Sequence, residues 1–208
     1  MTFDSARIRL YLVADPSLSK TPIHDAVAIA LHAGVSAVQL RAKHLDDRSH
    51  LLMARDMRAI CHQHNALFLV NDRLHIALLA GADGVHVGVS DVSPSDIRRY
   101  AGNAFIIGYS PESVMDRAIA DADYLGIGPV FSTTSKRDAG IALGIEEFKR
   151  RVDLVNLPVV GIGGITPDNA SSVVRAGAVG IAVISAILNA DDIAESTAAI
   201  RMAVDLAG

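Results

Sequence analysis

The feature that most constrains the fold of this chain is a regular exchange between short β-branched runs and longer helical windows, with Gly or Asp at the junctions. Eight runs have the character of strands, at residues 9–14, 37–41, 67–71, 84–88, 104–109, 124–130, 158–163 and 180–185. Helical windows between them include 22–34, 46–65, 93–102, 144–152 and 166–177. Eight βα units in 208 residues predict an α/β fold, a single (β/α)8 TIM barrel that forms one domain over residues 1–208. An open doubly wound sheet is the competing arrangement, because the pattern alone does not prove closure.

Composition narrows the class of protein. Half of the residues are apolar and the net charge is only -4, with no block of Lys or Arg, so the sequence predicts neither nucleic acid nor a membrane surface as a partner. No apolar run approaches the ~18 residues of a membrane span. The single Cys61 has no partner for an internal disulfide, which fits a reducing, cytoplasmic compartment. These features indicate a protein that acts on small molecules.

Polar residues accumulate where the predicted strands end. In a closed parallel barrel, the loops at the carboxyl ends of the strands form the active site, so we expect these side chains to meet at one mouth. The polar residues at these ends are Gln39, Arg41 and Lys43 on the second strand, Asn71 and Asp72 on the third, Asp91 after the fourth, Ser110 after the fifth, residues 132–136 after the sixth, 161–166 at the seventh and Ser185 at the eighth.

Two cations and an amide alternate at the end of the second strand. The period of two sends Gln39, Arg41 and Lys43 to one side, while Leu40 and Ala42 face the other way. Such a group suits a polyanion such as a diphosphate. A salt-bridged rim is the alternative, since the surrounding segment is rich in charge.

Two carboxylates follow neighbouring strands. Asp72 and Asp91 can approach a common point with Asn71 beside them, and Mg²⁺ accepts hard oxygen ligands of this kind while keeping several waters. A diphosphate on the substrate would complete its coordination. Each Asp, taken alone, is equally well explained as the N-cap of the next helix.

The sixth and seventh strands are followed by segments suited to a phosphate. Residues 132–136 (STTSK) offer hydroxyls, backbone amides and Lys136, without the spacing of a nucleotide P-loop. Gly163 and Gly164 precede a helix that starts near Thr166, so backbone amides there can approach an anion. The histidines form no pair at a strand end, and His86, within the fourth strand, is interpreted as a core or rim residue.

The ordered motifs VQLRAK, VNDR, GADGVHVGVSD, DYLGIGPVFSTTSK and VVGIGGITPDNASSVVRAGAVGIAVISAI resemble those of the thiamine phosphate synthase family, also called thiamine-phosphate pyrophosphorylase, over about residues 8–190. The resemblance implies that hydroxymethylpyrimidine diphosphate is joined to hydroxyethylthiazole phosphate, or to its carboxylated form, with release of pyrophosphate. It implies Mg²⁺ as the cofactor, a dissociative route in which pyrophosphate leaves first, and a homodimer.

The resemblance also assigns roles to residues. The expected catalytic residues are Arg41, Lys43, Ser110 and Lys136, and the expected Mg²⁺ ligands are Asp72 and Asp91. The expected substrate-binding residues are the segment Gln39, Leu40, Arg41, Ala42 and Lys43, with Asn71, Ser110 and Lys136, for the pyrimidine diphosphate, and Thr133, Thr134, Ser135, Gly163, Gly164, Ile184 and Ser185 for the thiazole phosphate.

The chain departs from the family pattern at three places, and these keep two rivals open. Ala42 replaces an acidic residue, Val89 and Ser90 replace a polar pair before Asp91, and Glu112 stands where a His is usual. The rivals are a thiazole tautomerase-like barrel and a non-catalytic barrel that binds thiazole phosphate as a regulator. The presence of Asp72 and the absence of that His favour the synthase over the tautomerase. A phosphosugar isomerase is a further alternative, and it would need a general acid and a general base rather than a pair of metal ligands.

Overall fold

The computed structural model describes residues 3–135 and 140–208. Eight parallel strands pair in chain order and the first closes on the last, so the sheet is a closed barrel. The predicted α/β (β/α)8 fold is therefore confirmed, and the open doubly wound sheet is excluded. The strands are β1 (Leu10–Ala14), β2 (Ala37–Leu40), β3 (Leu67–Asn71), β4 (Gly84–Gly88), β5 (Ile106–Ser110), β6 (Tyr124–Ile127), β7 (Val159–Ile162) and β8 (Gly180–Val183).

Helices connect successive strands around the outside of the barrel. Those in the described part of the chain are α1 (Ile23–His32), α2 (Asp47–Gln63), α3 (Leu74–Ala80), α4 (Pro94–Ala101), α5 (Gly144–Asp153), α6 (Pro167–Arg175), α7 (Ser185–Leu188) and α8 (Ile193–Asp205). Between β5 and β6 the described chain forms a 3-10 helix, Arg117–Asp121, instead of an α-helix. None of the described helices is long and apolar enough to cross a membrane.

Each strand presents one face to the helices and the other to the barrel interior. On β1, Leu10 and Leu12 are fully buried against the helical layer, while Tyr11 extends into the interior and bonds residues of other strands. Helix boundaries follow side-chain caps, as where Asp46 accepts the amide hydrogen of Ser49 at the start of α2. The alternation of residues along the strands and the capping residues of the helices therefore agree with the closed sheet.

The amino ends of the strands are fixed by carboxylates. Asp83 accepts the Phe68 amide hydrogen at 2.8 Å, and Asp123 accepts that of Ile107 at 2.7 Å. Arg98 completes the second of these contacts with an ion pair of 2.7 Å to Asp123. These groups serve stability, so the opposite, carboxyl end is free to carry the functional loops.

Candidate functional site

Two acidic side chains meet at the carboxyl ends of β3 and β4. Asp72 follows β3 with a left-handed backbone, φ 61°, and its amide donates to the His86 carbonyl at 2.8 Å. Asp91 is turned back towards β4, where its Oδ2 accepts the Gly88 amide hydrogen at 2.8 Å. The two carboxyl groups are close enough to interact with one another directly. The sequence expectation that they converge is thus met by the geometry, and their role as metal ligands stays a prediction.

The environment of Asp72 disfavours its charge. Burial raises the pKa of this carboxyl above its ordinary value, and the neighbouring Asp91 raises it further. Lys43 opposes both effects with its Nζ 3.4 Å from Asp72 Oδ2. The net direction is upward, so Lys43 does not fully compensate the pair and a further cation would be stabilised there.

The chemistry of this donor set fits Mg²⁺. Two hard carboxylate oxygens in a like-charged pair match what the ion accepts, and the remaining positions would be filled by ligand oxygens and water. Among residues 3–135 and 140–208 there is no cluster of three or more His, Cys, Asp or Glu arranged for a metal. Binding of Mg²⁺ by Asp72 and Asp91 stays a prediction.

Arg41 lies at the same mouth and already has a partner. Its guanidinium donates to Asp15, at the end of β1, and both side chains are largely buried. Asp15 also accepts from the amide and hydroxyl of Ser17. Sequence reasoning did not single out Asp15, although its position directly after the strand LYLVA was a usable signal.

Arg73 fixes the segment that carries Lys43. Its Nη1 donates to the Leu45 carbonyl and to Asp47 Oδ1, both at 2.9 Å, and its Nη2 donates to the Lys43 carbonyl at 3.3 Å. The guanidinium next to Asp72 in VNDR thus connects the loop after β2 to the end of β3. Sequence reasoning gave Arg73 no role, because the target of a long side chain is not set by its neighbours in the chain.

The other predicted residues of β2 and β3 divide between the interior and the core. Gln39 points into the barrel, where its Nε2 donates to the Tyr11 hydroxyl at 3.0 Å, and Asn71 at the end of β3 is 8% exposed. Leu40 and Ala42 are core residues, 0% and 5% exposed. Only their backbone is available to a ligand, and their assignment as substrate-binding residues stays a prediction.

A cavity of about 740 Å³ occupies the other half of the mouth. It is lined by loops after β5, β6, β7 and β8, and eight of the predicted site residues contribute: Ser110, Thr133, Thr134, Ser135, Gly163, Gly164, Ile184 and Ser185. Ser135 donates to the Ser185 hydroxyl at 2.9 Å, which joins two of these loops. Lys136, predicted as a catalytic residue, lies outside the described residues.

The paired glycines of the loop after β7 pack closely against the loop after β6. Gly163 and Gly164 have φ of 99° and 65°, and a Cβ on Gly163 would lie 2.6 Å from Pro129 Cβ. Asn169 holds the turn, because its side chain accepts the Thr166 amide hydrogen at 2.9 Å and donates to the Gly164 carbonyl at 3.0 Å. The loop after β7 is therefore held against the loop after β6, with room for an anion beside its backbone.

Comparison with known proteins now decides the family. The family model described as thiamine monophosphate synthase matches residues 10–187, which includes all eight strands. This chain belongs to the thiamine monophosphate synthase family.

Its relatives in the thiamine monophosphate synthase family match over nearly their whole length. A thiamine-phosphate synthase from Coprothermobacter proteolyticus is 40% identical over 199 residues, 94% of each chain. One from Methanocella arvoryzae is 44% identical, over 92% of this chain and 91% of the relative. The solved thiamine phosphate pyrophosphorylase from Pyrococcus furiosus is 36% identical and superposes with a TM-score of 0.89 over 98% of each chain.

Membership of the thiamine monophosphate synthase family makes the chain a transferase of thiamine biosynthesis. The expected departures from the family pattern lie at the mouth: Glu112 lines the cavity, and Val89, 49% exposed, stands beside the loop that carries Asp91. Neither removes a carboxylate or closes the cavity. Ser132, in the predicted phosphate segment 132–136, also lines the cavity, and so does Pro111, which the sequence did not indicate.

Proposed function

We propose that the protein joins hydroxymethylpyrimidine diphosphate to hydroxyethylthiazole phosphate and releases pyrophosphate, with Mg²⁺ as its cofactor. The bond between the pyrimidine methylene carbon and the diphosphate oxygen breaks, and its electron pair leaves with pyrophosphate. The lone pair of the thiazole nitrogen then forms the new carbon–nitrogen bond. The single observation that carries the proposal is the Asp72–Asp91 pair, whose repulsion Lys43 does not fully relieve, at the same barrel mouth as a hydroxyl-lined cavity.

The residues of the mouth divide the work. Lys43 and Arg41 would bind the diphosphate oxygens, and Arg73 and Asp15 hold those two cations where the anion arrives. When bound between Asp72 and Asp91, Mg²⁺ would neutralise charge on the departing group. None of these groups acts as a nucleophile, since the reaction needs charge neutralisation and correct placement.

The cavity would hold the thiazole phosphate. Ser135 and Ser185 offer hydroxyl groups, and the turn at Gly163 and Gly164 offers backbone, and all four residues line this cavity. This arrangement would fix the thiazole nitrogen relative to the pyrimidine carbon. The assay below, run with the plain and with the carboxylated thiazole phosphate, measures which of the two the protein prefers.

The experiment mixes the purified protein with both substrates and Mg²⁺ and measures pyrophosphate release with and without a chelator. Chelation should stop release and added Mg²⁺ should restore it. Asp72→Asn and Asp91→Asn should each lower kcat by roughly 100-fold or more, because transition-state charge loses its counter-ion. The matched control is Asp191→Asn, a fully exposed carboxylate paired with Lys20, which should retain full activity.

Three results would contradict the proposal. Release that continues under chelation would remove the metal role from Asp72 and Asp91. Binding of thiazole phosphate with no release of pyrophosphate would favour the non-catalytic regulator. Conversion of a thiazole tautomer without the pyrimidine would favour the tautomerase. The homodimer that the resemblance implies is part of the proposal, and light scattering of the same preparation tests it.

A further inference from the structure

A chain of hydrogen bonds crosses the interior of the barrel from β2 to β5. Gln39 Nε2 lies 3.0 Å from the Tyr11 hydroxyl, which lies 3.0 Å from the Tyr124 hydroxyl. The Tyr124 hydroxyl lies 3.0 Å from His86 Nδ1, and His86 Nε2 lies 2.9 Å from Ser110 Oγ. We call these five residues the interior chain. Its two ends, Gln39 and Ser110, are both predicted to contact the pyrimidine substrate.

The two tyrosines in the middle are sealed from water and stay protonated. Tyr11 is 1% exposed and Tyr124 is 0% exposed. Burial raises the pKa of Tyr11 to about 12 and that of Tyr124 well above its ordinary value. Each phenol therefore has one hydrogen to donate, and each has two neighbours in the interior chain. A hydroxyl that receives one bond must give the other, so the interior chain has a direction.

The orientation of Gln39 sets that direction. Its amide nitrogen faces Tyr11 and donates, so Tyr11 donates to Tyr124 and Tyr124 donates to His86 Nδ1. A neutral imidazole that accepts at Nδ1 carries its hydrogen on Nε2 and donates to Ser110 Oγ. The hydrogen of the Ser110 hydroxyl is then left for a ligand in the cavity that Ser110 lines.

The opposite orientation of the amide would reverse every bond. If the Gln39 carbonyl faced Tyr11, it could only accept, Tyr124 would donate to Tyr11, and His86 would donate through Nδ1. His86 Nε2 would then accept from Ser110, and the serine could offer a ligand only its lone pairs. The orientation of the Gln39 amide thus decides whether the Ser110 hydroxyl, on another strand, offers a ligand its hydrogen or only its lone pairs.

The space for the interior chain is created by two glycines. A Cβ on Gly108 would lie 2.3 Å from both His86 Nδ1 and the Tyr124 hydroxyl. A Cβ on Gly126 would lie 2.8 Å from Ser110 Oγ and 3.1 Å from His86 Cε1. No other residue type fits at these positions without displacing a member of the interior chain, which is therefore built into the packing of β4, β5 and β6.

We propose that Gln39 and His86 are positioning residues that set the hydrogen-bond polarity of the site: Gln39 holds His86 as the Nε2–H tautomer, so that Ser110 presents a hydrogen-bond donor to a ligand acceptor such as a heteroaromatic ring nitrogen. Gln39 in turn leaves its carbonyl oxygen for a ligand donor such as an exocyclic amine. The ligand contacts of Gln39 and Ser110 rest on the proposed function. The tautomer and the direction of the interior chain do not.

The first test is a direct reading of the tautomer by ¹⁵N NMR of the histidine side chains at about pH 8.5, above the ordinary imidazole pKa of about 6.5. The chain has eight histidines, and a His86→Gln variant identifies the signal that belongs to His86. The expected result is a pyrrole-type shift for Nε2 and a pyridine-type shift for Nδ1. The reverse assignment in the unmodified protein would overturn the proposal, and it would leave the pyrophosphate assay untouched.

The second test reverses the interior chain on purpose. In Gln39→Glu the carboxylate can only accept, so Tyr11 should donate to it and the His86 tautomer should switch to Nδ1–H. The Tyr11→Phe variant removes the link, and in that background Gln39→Glu should leave the tautomer unchanged. A folded Gln39→Glu protein that keeps the Nε2–H tautomer would refute the coupling. If that variant does not fold, the spectrum of the unmodified protein still decides.

Discussion

Replacing Gly108 with alanine should destabilise the protein far more than the small size of the added methyl group suggests. The new Cβ would lie 2.3 Å from the Tyr124 hydroxyl and from His86 Nδ1. The Tyr124 ring has no free space to move into, because it is fully buried and stacks on Phe3 with ring centroids 5.8 Å apart. The methyl group must therefore break the hydrogen bond between these two side chains.

The magnitude follows from two contributions. Overpacking a filled interior costs about 1–3 kcal/mol. Loss of the buried hydrogen bond between the Tyr124 hydroxyl and His86 Nδ1 costs about 1–3 kcal/mol more. The free energy of unfolding should fall by about 2–6 kcal/mol in total. For a chain of this length each kcal/mol lowers Tm by about 2–4 °C. The expected loss in Tm is roughly 4–24 °C.

The assay is thermal unfolding followed by circular dichroism, with Gly81→Ala as the matched control. Gly81, unlike Gly108, has a left-handed backbone, φ 68°, and a Cβ there would meet only the end of the Arg58 side chain at 3.4 Å. Gly81→Ala should therefore lower the free energy of unfolding only by the backbone penalty of about 1–2 kcal/mol. If Gly108→Ala loses no more stability than Gly81→Ala, the close packing of the interior chain is wrong. In a double-mutant cycle, Tyr124→Phe should lessen the effect of Gly108→Ala, since the hydrogen bond is already absent.

Two further predictions concern the mouth. The pKa of Asp72 is raised in the folded protein, so its charged form lowers the free energy of unfolding. This loss is absent well below the pKa of the unfolded chain, grows as the pH rises through the folded-state pKa, and is complete at neutral pH. Without Mg²⁺ at pH 7, Asp72→Asn should therefore raise the free energy of unfolding by about 0.5–1 kcal/mol and raise Tm accordingly. Near pH 3 the variant should show no gain, and a lower Tm at pH 7 would contradict the direction of the pKa shift. Arg73→Ala should free the Lys43 segment and lower kcat/KM for the pyrimidine diphosphate by roughly 10- to 100-fold, with KM for thiazole phosphate unchanged. Steady-state kinetics of Arg73→Ala and of the control Arg48→Ala, an exposed arginine on α2, check this. Equal losses in both variants would exclude a positioning role for Arg73.

The fold could be predicted because its signals are local and repeated. Each strand is a short buried run, and the predicted limits of β3 and β4 match the structure. At the eighth strand the limit was too long: β8 ends at Val183, and Ser185 begins the short helix α7. Strand ends depend on where the ladder of hydrogen bonds stops, and a continuing apolar sequence does not mark that point.

The candidate site could be predicted only in part, for a geometric reason. Asp72 and Asp91 follow adjacent parallel strands, so their convergence follows from the order of the strands. The contact between Tyr11 on β1 and Tyr124 on β6 depends on how the interior of a closed barrel is filled, and the strands that carry them are not neighbours. Asp15 and Arg41 follow the adjacent strands β1 and β2, so their pairing could have been predicted from the order of the strands in the same way.

The left-handed backbone at Asp72 limits which residues can stand there. At φ 61° the residues that fit with little penalty are glycine, asparagine and aspartate. Of these three, only aspartate brings a negative charge. Glutamate has the same charge, but the left-handed dihedral is unfavourable for it, and its carboxylate oxygens lie one methylene farther from the backbone. Position 72 therefore selects its residue by two independent criteria, conformation and charge, and a single amino acid satisfies both.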